Sequence, residues 1–474
     1  MIDLDGGPRP QLYDDGVVAA VESRQAVLDR RRREARLLDR RRRRRRIRRN
    51  RAIAGGLALA LAFGLWGLVG AGGAAPQTDA PATHPTAVLT AALRTVHAVP
   101  GTLAAFPWSA KGEGAVAVLG EGVMARSAKS PVVPIASLTK MMTAYLVLRD
   151  HPLTAGAEGP TFTMGRADVQ AWVHADQTNE SNVAVTLGEQ LTEHQLLEAL
   201  LIPSADNVAD FLASWDAGSV ASFVVKMNTT AKALGMHHTH YADASGVNPA
   251  SRSDATDQAL LAAALMQSPV VRGIVAKPSL PFPVAGTIWN YNPGLGVDGI
   301  IGVKSGFTSQ AQGCLATAAY RTAAGRHVLV VAVSLGQAGG LGQAARVDET
   351  LLAAAGRSLV GYRLPLPTSS VGTVALGGSS TSLYAAGGSP LIVGWPGMKL
   401  HEQVVSRTPV PAISSGAVFA DLVVSSPGGV LASVPLTAAT APSTAGGTTA
   451  TVLGGTTPTT LPSTAISSSL AAAG

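Results

Sequence analysis

The chain has 474 residues, of which 46% are hydrophobic and only 14% are charged, with a formal net charge of +7. This length allows two domains together with segments that do not fold into a core. The positive charge is local, because residues 30–51 hold fifteen arginines against two acidic residues, and the chain after Arg51 is close to neutral. The single cysteine, Cys314, excludes an intramolecular disulfide and is expected to be a small buried hydrophobe, so the folded part must depend on its core.

The N-terminal part predicts a membrane anchor. Residues 1–51 form an arginine-rich segment, and residues 52–75 follow as an uncharged run that is long enough to cross a bilayer. The arginines predict its cytoplasmic side and favour anionic lipid headgroups as their partner, rather than nucleic acid. A signal peptide cleaved at the small residues 71–74 is the alternative. Either interpretation places the rest of the chain outside the cytoplasm, and we favour a single uncleaved span in the cell membrane.

The rest of the chain divides by composition. Residues 76–101 are rich in Ala, Pro, Gly and Thr and predict a linker. Residues 102–361 begin with alternating apolar positions, continue with helical periodicity and end with apolar runs, which together predict an α+β domain. Short β-like runs between Gly, Pro and Ser turns make residues 362–437 a small all-β domain. Residues 438–474 have too little apolar surface to fold and predict a disordered tail.

Several elements can be placed by number. Predicted helices cover 192–201, 207–215, 220–234, 254–266 and 349–359, whereas predicted strands cover 302–304, 313–319 and 328–335, with a hairpin of 418–424 and 430–436 in the β domain.

A serine and a lysine three residues apart, Ser137 and Lys140, lie on one face of a predicted helix. A serine hydroxyl needs an adjacent base to become a nucleophile, and the lysine amine is placed to take its proton. The simpler interpretation is a helix cap followed by a solvated lysine. However, apolar residues surround this segment, and a lysine on a buried helix costs several kcal/mol unless it is paired. The pattern therefore favours a catalytic pair.

Two later motifs, Ser204-Ala205-Asp206 and Lys304-Ser305-Gly306, supply a second serine and a second lysine. Brought together in the fold, they could relay protons and hold an anionic substrate. The three motifs in this order are the signature of penicillin-binding proteins and class A β-lactamases.

The segments around these motifs resemble the D-alanyl-D-alanine carboxypeptidases, which are low-molecular-mass penicillin-binding proteins. Residues 134–142 are similar to their nucleophile segment almost letter for letter, residues 201–207 to their second motif, and residues 297–308 to the strand of their third. Ser245-Gly246 belongs to a family stretch without catalytic duty. The resemblance implies the penicillin-binding-protein/β-lactamase-like transpeptidase fold, followed by the small all-β domain.

The same resemblance implies roles for three residues. Ser137 would attack the terminal D-Ala-D-Ala bond of a peptidoglycan stem peptide and form an acyl-enzyme, which β-lactams would also form. Lys140 would act as the base, which requires a neutral amine. Ser204 would pass a proton to the departing D-alanine.

It also implies a binding strand. Lys304 would add positive potential and, with the Ser305 hydroxyl, hold the terminal carboxylate of the substrate. Gly306 completes the motif, and the backbone N–H groups of Phe307 and Ser137 would form the oxyanion hole.

One position departs from the family pattern, because Asp206 stands where an asparagine is usual. An amide donates and accepts hydrogen bonds, whereas a carboxylate only accepts. Asp206 could therefore pair with Lys140 and weaken it as a base, or Asn207 could take the substrate-binding role after a shift of one residue.

Three other interpretations remain. A class A β-lactamase would need a glutamate-positioned water, for which no convincing segment follows Ser204. A binding or regulatory module without turnover would explain Asp206. A metal site at His237, His238 and His240 is disfavoured, since three histidines in four residues do not easily converge on one ion, and we expect no cofactor.

Overall fold

The computed structural model describes residues 88–91, 94–376, 379–407 and 416–438. The predictions for the arginine-rich segment, the membrane anchor and the C-terminal tail from residue 439 onward lie outside these residues.

The helices are α1 (Thr139–Asp150), α2 (Arg166–Gln177), α3 (Glu193–Leu201), α4 (Asp206–Ala217), α5 (Val220–Ala233), α6 (Ala255–Leu265), α7 (Pro269–Val275) and α8 (Gly340–Ser358). The strands are β1 (Val88–Ala91), β2 (Arg94–Ala98), β3 (Glu113–Val118), β4 (Gly122–Arg126), β5 (Val133–Pro134), β6 (Thr161–Thr163), β7 (Gln190–Thr192), β8 (Arg252–Ser253), β9 (Ser279–Phe282), β10 (Gly286–Trp289), β11 (Ile300–Thr308), β12 (Gln312–Ala323), β13 (Arg326–Gln337), β14 (Val360–Arg363), β15 (Gly372–Leu376), β16 (Ser379–Ala385), β17 (Leu391–Gly394), β18 (Lys399–Ser406), β19 (Val418–Ser426) and β20 (Gly429–Ala438).

A five-stranded antiparallel sheet in the order β11-β12-β13-β3-β4 forms the centre of the first domain. Alternate residues of β3 enter two different cores. Ala115 and Ala117 pack in the core that holds α6, whereas Val116 and Val118 pack in the core that holds Leu351 of α8. Because successive side chains of a strand point to opposite faces, helices cover both faces of this sheet. This explains why the strand reads as uniformly apolar rather than alternating.

The sequence predicted the helices well. The structure has helices at every predicted position, and three of them begin at a side-chain cap. Thr192 accepts a hydrogen bond from Gln195 N at 3.2 Å and completes a reciprocal capping box. Ser219 and Asp254 cap α5 and α6 by a single bond each, accepting from Ser222 N and Asp257 N. One prediction was too short: α8 begins at Gly340, because the glycine-rich start of this helix weakens its periodicity.

A second sheet has seven strands in the order β1-β15-β16-β20-β19-β18-β2, and its own apolar core includes Leu383, Phe419 and Leu436. This later all-β region confirms the predicted fold class, and the predicted hairpin is the β19–β20 pair. Its packing against the first domain is also apolar, since Leu400 and Val424 share a core with Val116.

The linker predicted at residues 76–101 differs from the structure. Strands β1 and β2 lie within it and form the two outer strands of the seven-stranded sheet, pairing with β15 and β18. Thr95 also donates a hydrogen bond to the Glu402 carboxylate at 2.6 Å. Strands of four and five residues among Ala, Thr and Pro give little periodic signal. Their stabilisation comes from backbone pairing with sheet edges that are distant in sequence.

Within the described ranges, no single helix is both long and apolar enough to span a bilayer; α4 with α5 and α6 with α7 reach that length and hydropathy only as pairs bent by 82° and 108°.

Cys314 and Asp348 are among the titratable side chains that are buried in the first domain. Cys314 is fully buried, as expected, and burial raises the pKa of its thiol to about 12. Asp348 of α8 is fully buried against the sheet, where its Oδ2 accepts a hydrogen bond from Thr317 Oγ1 at 3.0 Å and its Oδ1 has no hydrogen-bond partner among the described residues. Burial raises the pKa of Asp348 well above its usual range, which favours the protonated form of this side chain in the folded protein.

We predict that Asp348 lowers stability as the pH rises. Above the ordinary aspartate pKa the unfolded chain loses this proton while the folded chain keeps it, so the free energy of unfolding falls with pH. Asp348→Asn removes this pH-dependent loss. Between pH 5 and pH 8 the free energy of unfolding of the variant should therefore rise by about 1–4 kcal/mol relative to that of the wild type. Urea unfolding, followed by circular dichroism at pH 5 and at pH 8, measures the free energy of unfolding of both proteins. Replacement of an exposed carboxylate, Asp176→Asn, is the control, and parallel pH curves for wild type and Asp348→Asn would refute the prediction.

Candidate active site

The nucleophile candidate lies at the start of the central helix. Ser137 is in a 3₁₀ turn, Ala136–Leu138, that leads directly into α1. Ser137 is half-buried, whereas Lys140 has no exposed surface. Lys140 Nζ lies 3.0 Å from Ser137 Oγ. The structure therefore brings the predicted pair into hydrogen-bond contact and leaves only the serine within reach of a substrate.

Lys140 has two further partners. Its Nζ lies 2.5 Å from Asp206 Oδ1 at the first turn of α4 and 2.8 Å from the carbonyl oxygen of Ser245. The carboxylate is almost as well enclosed as the lysine, with 8% of its side chain exposed. A buried lysine must be paired, and here an anion and a carbonyl provide that pairing.

The loop of Ser245 proves to be part of the site, although the sequence comparison gave it no duty. Asp243 closes this loop by accepting hydrogen bonds from Gly246 N and Asn248 N, each at 2.9 Å, and Thr143 Oγ1 donates to Ala244 O at 2.6 Å. Gly246 has φ +88°, and a Cβ on it would lie 1.9 Å from Ala136 O. Only glycine fits here, and this requirement was the one signal in the sequence that could have identified the loop.

Ser204 precedes α4 in a strained backbone conformation. Its φ is +67°, which is uncommon for a residue with a side chain, and only 3% of it is exposed. Its Oγ has no hydrogen-bond partner among the described residues. A buried hydroxyl without a partner is costly, and such strain is concentrated at functional sites. The structure thus holds Ser204 as a free donor and acceptor rather than as part of the Lys140 cluster.

Asn207 is committed elsewhere. Its side-chain oxygen accepts a hydrogen bond from Val183 N at 3.2 Å, and its side-chain nitrogen donates to Val183 O at 3.0 Å. Both ends of the amide therefore hold a neighbouring loop, and Asp206, not Asn207, contacts Lys140.

The third motif lies on β11, the edge strand of the five-stranded sheet. This strand approaches the nucleophile closely, since a Cβ on Gly306 would lie 2.8 Å from Ser137 N. Ser305 is buried, whereas Phe307 is exposed at 56% of its surface. The glycine is needed because any side chain would separate the strand from the backbone N–H of Ser137.

Lys304 is buried, and its Nζ donates to Ser305 O at 2.9 Å. Burial, together with the nearby positive charge of Lys140, holds the pKa of Lys304 well below its usual range. The expected positive potential at this position therefore depends on an anion, such as a substrate carboxylate, to stabilise the charged form.

One group of side chains in the described part of the chain could hold a metal ion, namely His238, Asp254 and Asp257. It does not include His237 or His240. Asp254 caps α6 and contacts His238 Nδ1 at 3.0 Å, and Asp257 accepts hydrogen bonds from His238 N and Thr239 Oγ1. These contacts explain the group as the framework of the loop that leads into α6.

Comparison with known proteins gives consistent matches. The family profile described as D-alanyl-D-alanine carboxypeptidase matches residues 116–338. A D-alanyl-D-alanine carboxypeptidase of Streptomyces sp. (strain K15) is 31% identical over 246 residues, which cover 47% of this chain and 82% of that protein. DacB2 of Mycobacterium tuberculosis (strain ATCC 25618 / H37Rv), named a D-alanyl-D-alanine carboxypeptidase, is 32% identical over 210 residues, covering 43% and 67%.

Two solved structures establish the fold. A peptidoglycan synthesis regulatory factor (PBP3) from Streptococcus pneumoniae has a TM-score of 0.53 at 19% identity and covers 70% of this chain and 99% of its own. Penicillin binding protein 5 from Haemophilus influenzae has a TM-score of 0.53 at 20% identity, covering 71% and 99%. The predicted fold class is therefore confirmed.

We predict that Gly246→Ala displaces the nucleophile. The new Cβ would overlap the carbonyl oxygen of Ala136, which directly precedes Ser137. An alanine in this left-handed backbone conformation would cost a further amount of about 1–2 kcal/mol. The matched control is Gly235→Ala, where φ is +77° but no atom lies within 4 Å. We expect both variants to melt at a lower temperature, but only Gly246→Ala to lose more than about tenfold in the rate of reaction of Ser137 with a penicillin. Equal rates in the two variants would contradict this prediction.

Proposed function

This chain belongs to the D-alanyl-D-alanine carboxypeptidase family, and we propose that it removes the terminal D-alanine from peptidoglycan stem peptides through an acyl-enzyme on Ser137. The observation that carries the proposal is the 3.0 Å contact between Ser137 Oγ and a fully buried Lys140 Nζ. A serine becomes a nucleophile only beside a base, and this lysine is the base within reach.

The steps use the residues that the fold brings together. In its neutral form Lys140 takes the proton of Ser137 Oγ while Oγ bonds to the carbonyl carbon of the D-Ala-D-Ala bond. The backbone N–H of Ser137 stabilises the oxyanion. Ser204, whose hydroxyl is free, delivers its proton to the nitrogen of the departing D-alanine, and the proton that Lys140 took from Ser137 replaces it, which restores the Ser204 hydroxyl and the neutral Lys140. Water then hydrolyses the ester and releases the shortened peptide, and a β-lactam would acylate the same oxygen.

The binding strand accounts for selection of a peptide terminus. Lys304 and Ser305 lie on β11 beside the nucleophile and are proposed to hold the terminal carboxylate. The exposed ring of Phe307 extends from the same strand and offers apolar contact at its edge, and its backbone N–H is the second proposed donor to the oxyanion.

A second candidate function is a penicillin-binding module with impaired turnover. The observation that favours it is the 2.5 Å contact of Lys140 with Asp206, because an anion in this position opposes a neutral lysine. By contrast, the two relatives described above are named D-alanyl-D-alanine carboxypeptidases, which disfavours the class A β-lactamase alternative.

We further propose that residues 52–75 anchor the protein in the cell membrane with the catalytic domain outside the cytoplasm. The support is in the sequence: an uncharged run of bilayer length directly follows fifteen arginines.

The first test is intact-mass spectrometry of the full chain after incubation with a penicillin, with D-alanine release from a D-Ala-D-Ala peptide measured on the same preparation. We expect a penicilloyl adduct that is absent from Ser137→Ala, together with D-alanine release. An adduct without release would support the module with impaired turnover. No adduct on the wild type would exclude the acyl-enzyme mechanism.

The second test concerns the anchor. We expect carbonate-washed membranes to retain the protein with the mass of the full chain, because an uncleaved span stays in the bilayer. A soluble product that begins after about residue 74 would establish the cleaved signal peptide instead.

A further inference from the structure

The hydrogen-bond partners of Lys140 constrain which protonation state its amine can adopt. A neutral amine has two N–H donors and one lone pair, whereas an ammonium has three donors and no acceptor. The carbonyl oxygen of Ser245 and the carboxylate of Asp206 can only accept, so both must receive an N–H from Lys140. The third position of the nitrogen, towards Ser137, then carries either the lone pair of a base or a third hydrogen.

Asp206 favours the ammonium form of Lys140. Its Oδ1 lies 2.5 Å from Nζ, and water is excluded from both sides, since Lys140 has no exposed surface and Asp206 only 8%. An unpaired carboxylate buried in this way would be costly, and a proton on Lys140 provides its counter-charge. The asparagine that the family pattern places here has no charge to neutralise.

Other charged groups around the pair do not cancel this effect. Lys304 on β11 is close enough to be influenced by both Lys140 and Asp206, but burial lowers its pKa and favours its neutral form. Asp210 lies one turn further along α4 and is influenced by Asp206 and Lys140, and by Asp243 and Glu180; desolvation, as the first cause, raises the pKa of its carboxyl to about 6. Lys304 is the one amine among these neighbours, and its burial favours the neutral form, so they do not supply a positive charge that would replace Asp206 as the partner of Lys140.

We propose that Asp206 is a positioning residue that holds Lys140 as an ammonium in the resting site, so that acylation of Ser137 begins only after Lys140 has lost a proton to solvent. This inference rests on the proposed acyl-enzyme function. The proton passes from Nζ through the half-buried Ser137 hydroxyl to water or hydroxide, and the two N–H bonds left on Lys140 still donate to Asp206 and Ser245. The lone pair that appears is already 3.0 Å from Ser137 Oγ. It takes the hydroxyl proton while the oxygen forms its bond to the carbonyl carbon, whose π electrons move to the carbonyl oxygen.

The consequence is an enzyme whose acylation rate rises with pH through the neutral range. Asp206→Asn keeps the shape of the side chain and removes the charge, so Lys140 should lose its proton at lower pH and become a base sooner. Because loss of an adjacent opposite charge favours the neutral amine, we expect acylation of the variant to be at least about tenfold faster near pH 7. The matched control is Asp210→Asn, which removes the same charge from the same helix but makes no hydrogen bond to Lys140.

The experiment measures two quantities on the full chain between pH 6 and pH 10. The first is the titration of Lys140, followed by NMR of lysine labelled with ¹³C at Cε; the chain has eight lysines, and Lys140→Arg identifies the signal. The second is the rate of acylation by a penicillin, from intact mass. Asp206→Ala is a second variant, and melting temperatures establish that each variant is folded.

We expect both the titration and the rate profile to move to lower pH in Asp206→Asn and in Asp206→Ala, and to move less in Asp210→Asn. An unchanged Lys140 titration overturns the proposal whatever the activity. A wild-type rate that is independent of pH while Lys140 stays protonated also overturns it, because the proton would then pass to Asp206 itself. A displaced titration without any penicillin adduct supports the role of Asp206 and removes the proposed function instead.

Discussion

The buried amine of Lys140 is the constraint on which the rest of the site depends. A lysine with no exposed surface requires a partner for each N–H, and three separate parts of the fold provide them: the turn before α1, the start of α4 and the loop before β8. Each of these parts is held by its own contacts, such as the hydrogen bonds of Asp243 within its loop. Through its hydrogen bonds, the amine of Lys140 therefore links Ser137, the proposed nucleophile, to elements that are far apart in sequence.

The two-sided sheet explains how a site of this kind stays rigid. Helices cover both faces of the five strands, and the edge strand β11 meets the turn of Ser137. That meeting is close enough to require Gly306, and it places Lys304 and Ser305 beside the nucleophile. Because a strand can hold its backbone beside a substrate without large motion, the fold provides both the nucleophile and a binding edge in fixed positions.

The site also carries more negative charge than its family pattern would suggest. Asp206 replaces a neutral amide, and Asp210 adds a carboxylate one turn later. Since the second lysine of the site, Lys304, is buried and inclined to be neutral, the resting charge is balanced mainly by Lys140. A substrate carboxylate would change that balance by stabilising the charged form of Lys304. The proposed binding of a substrate carboxylate at Lys304 would therefore be coupled to the distribution of protons in this site.

The sequence alone determined the local features of this protein. Spacing placed Ser137 and Lys140 on one helix face, caps and periodicity placed the helices, and motif order indicated the family, because each of these signals lies within a few residues. The tertiary structure alone decided that Asp206 contacts Lys140 while Asn207 turns to Val183, that the loop of Ser245 joins the site, and that β1 and β2 complete a distant sheet. These are pairings between segments far apart in the chain, and no local pattern specifies which distant partner a side chain or a strand edge will find.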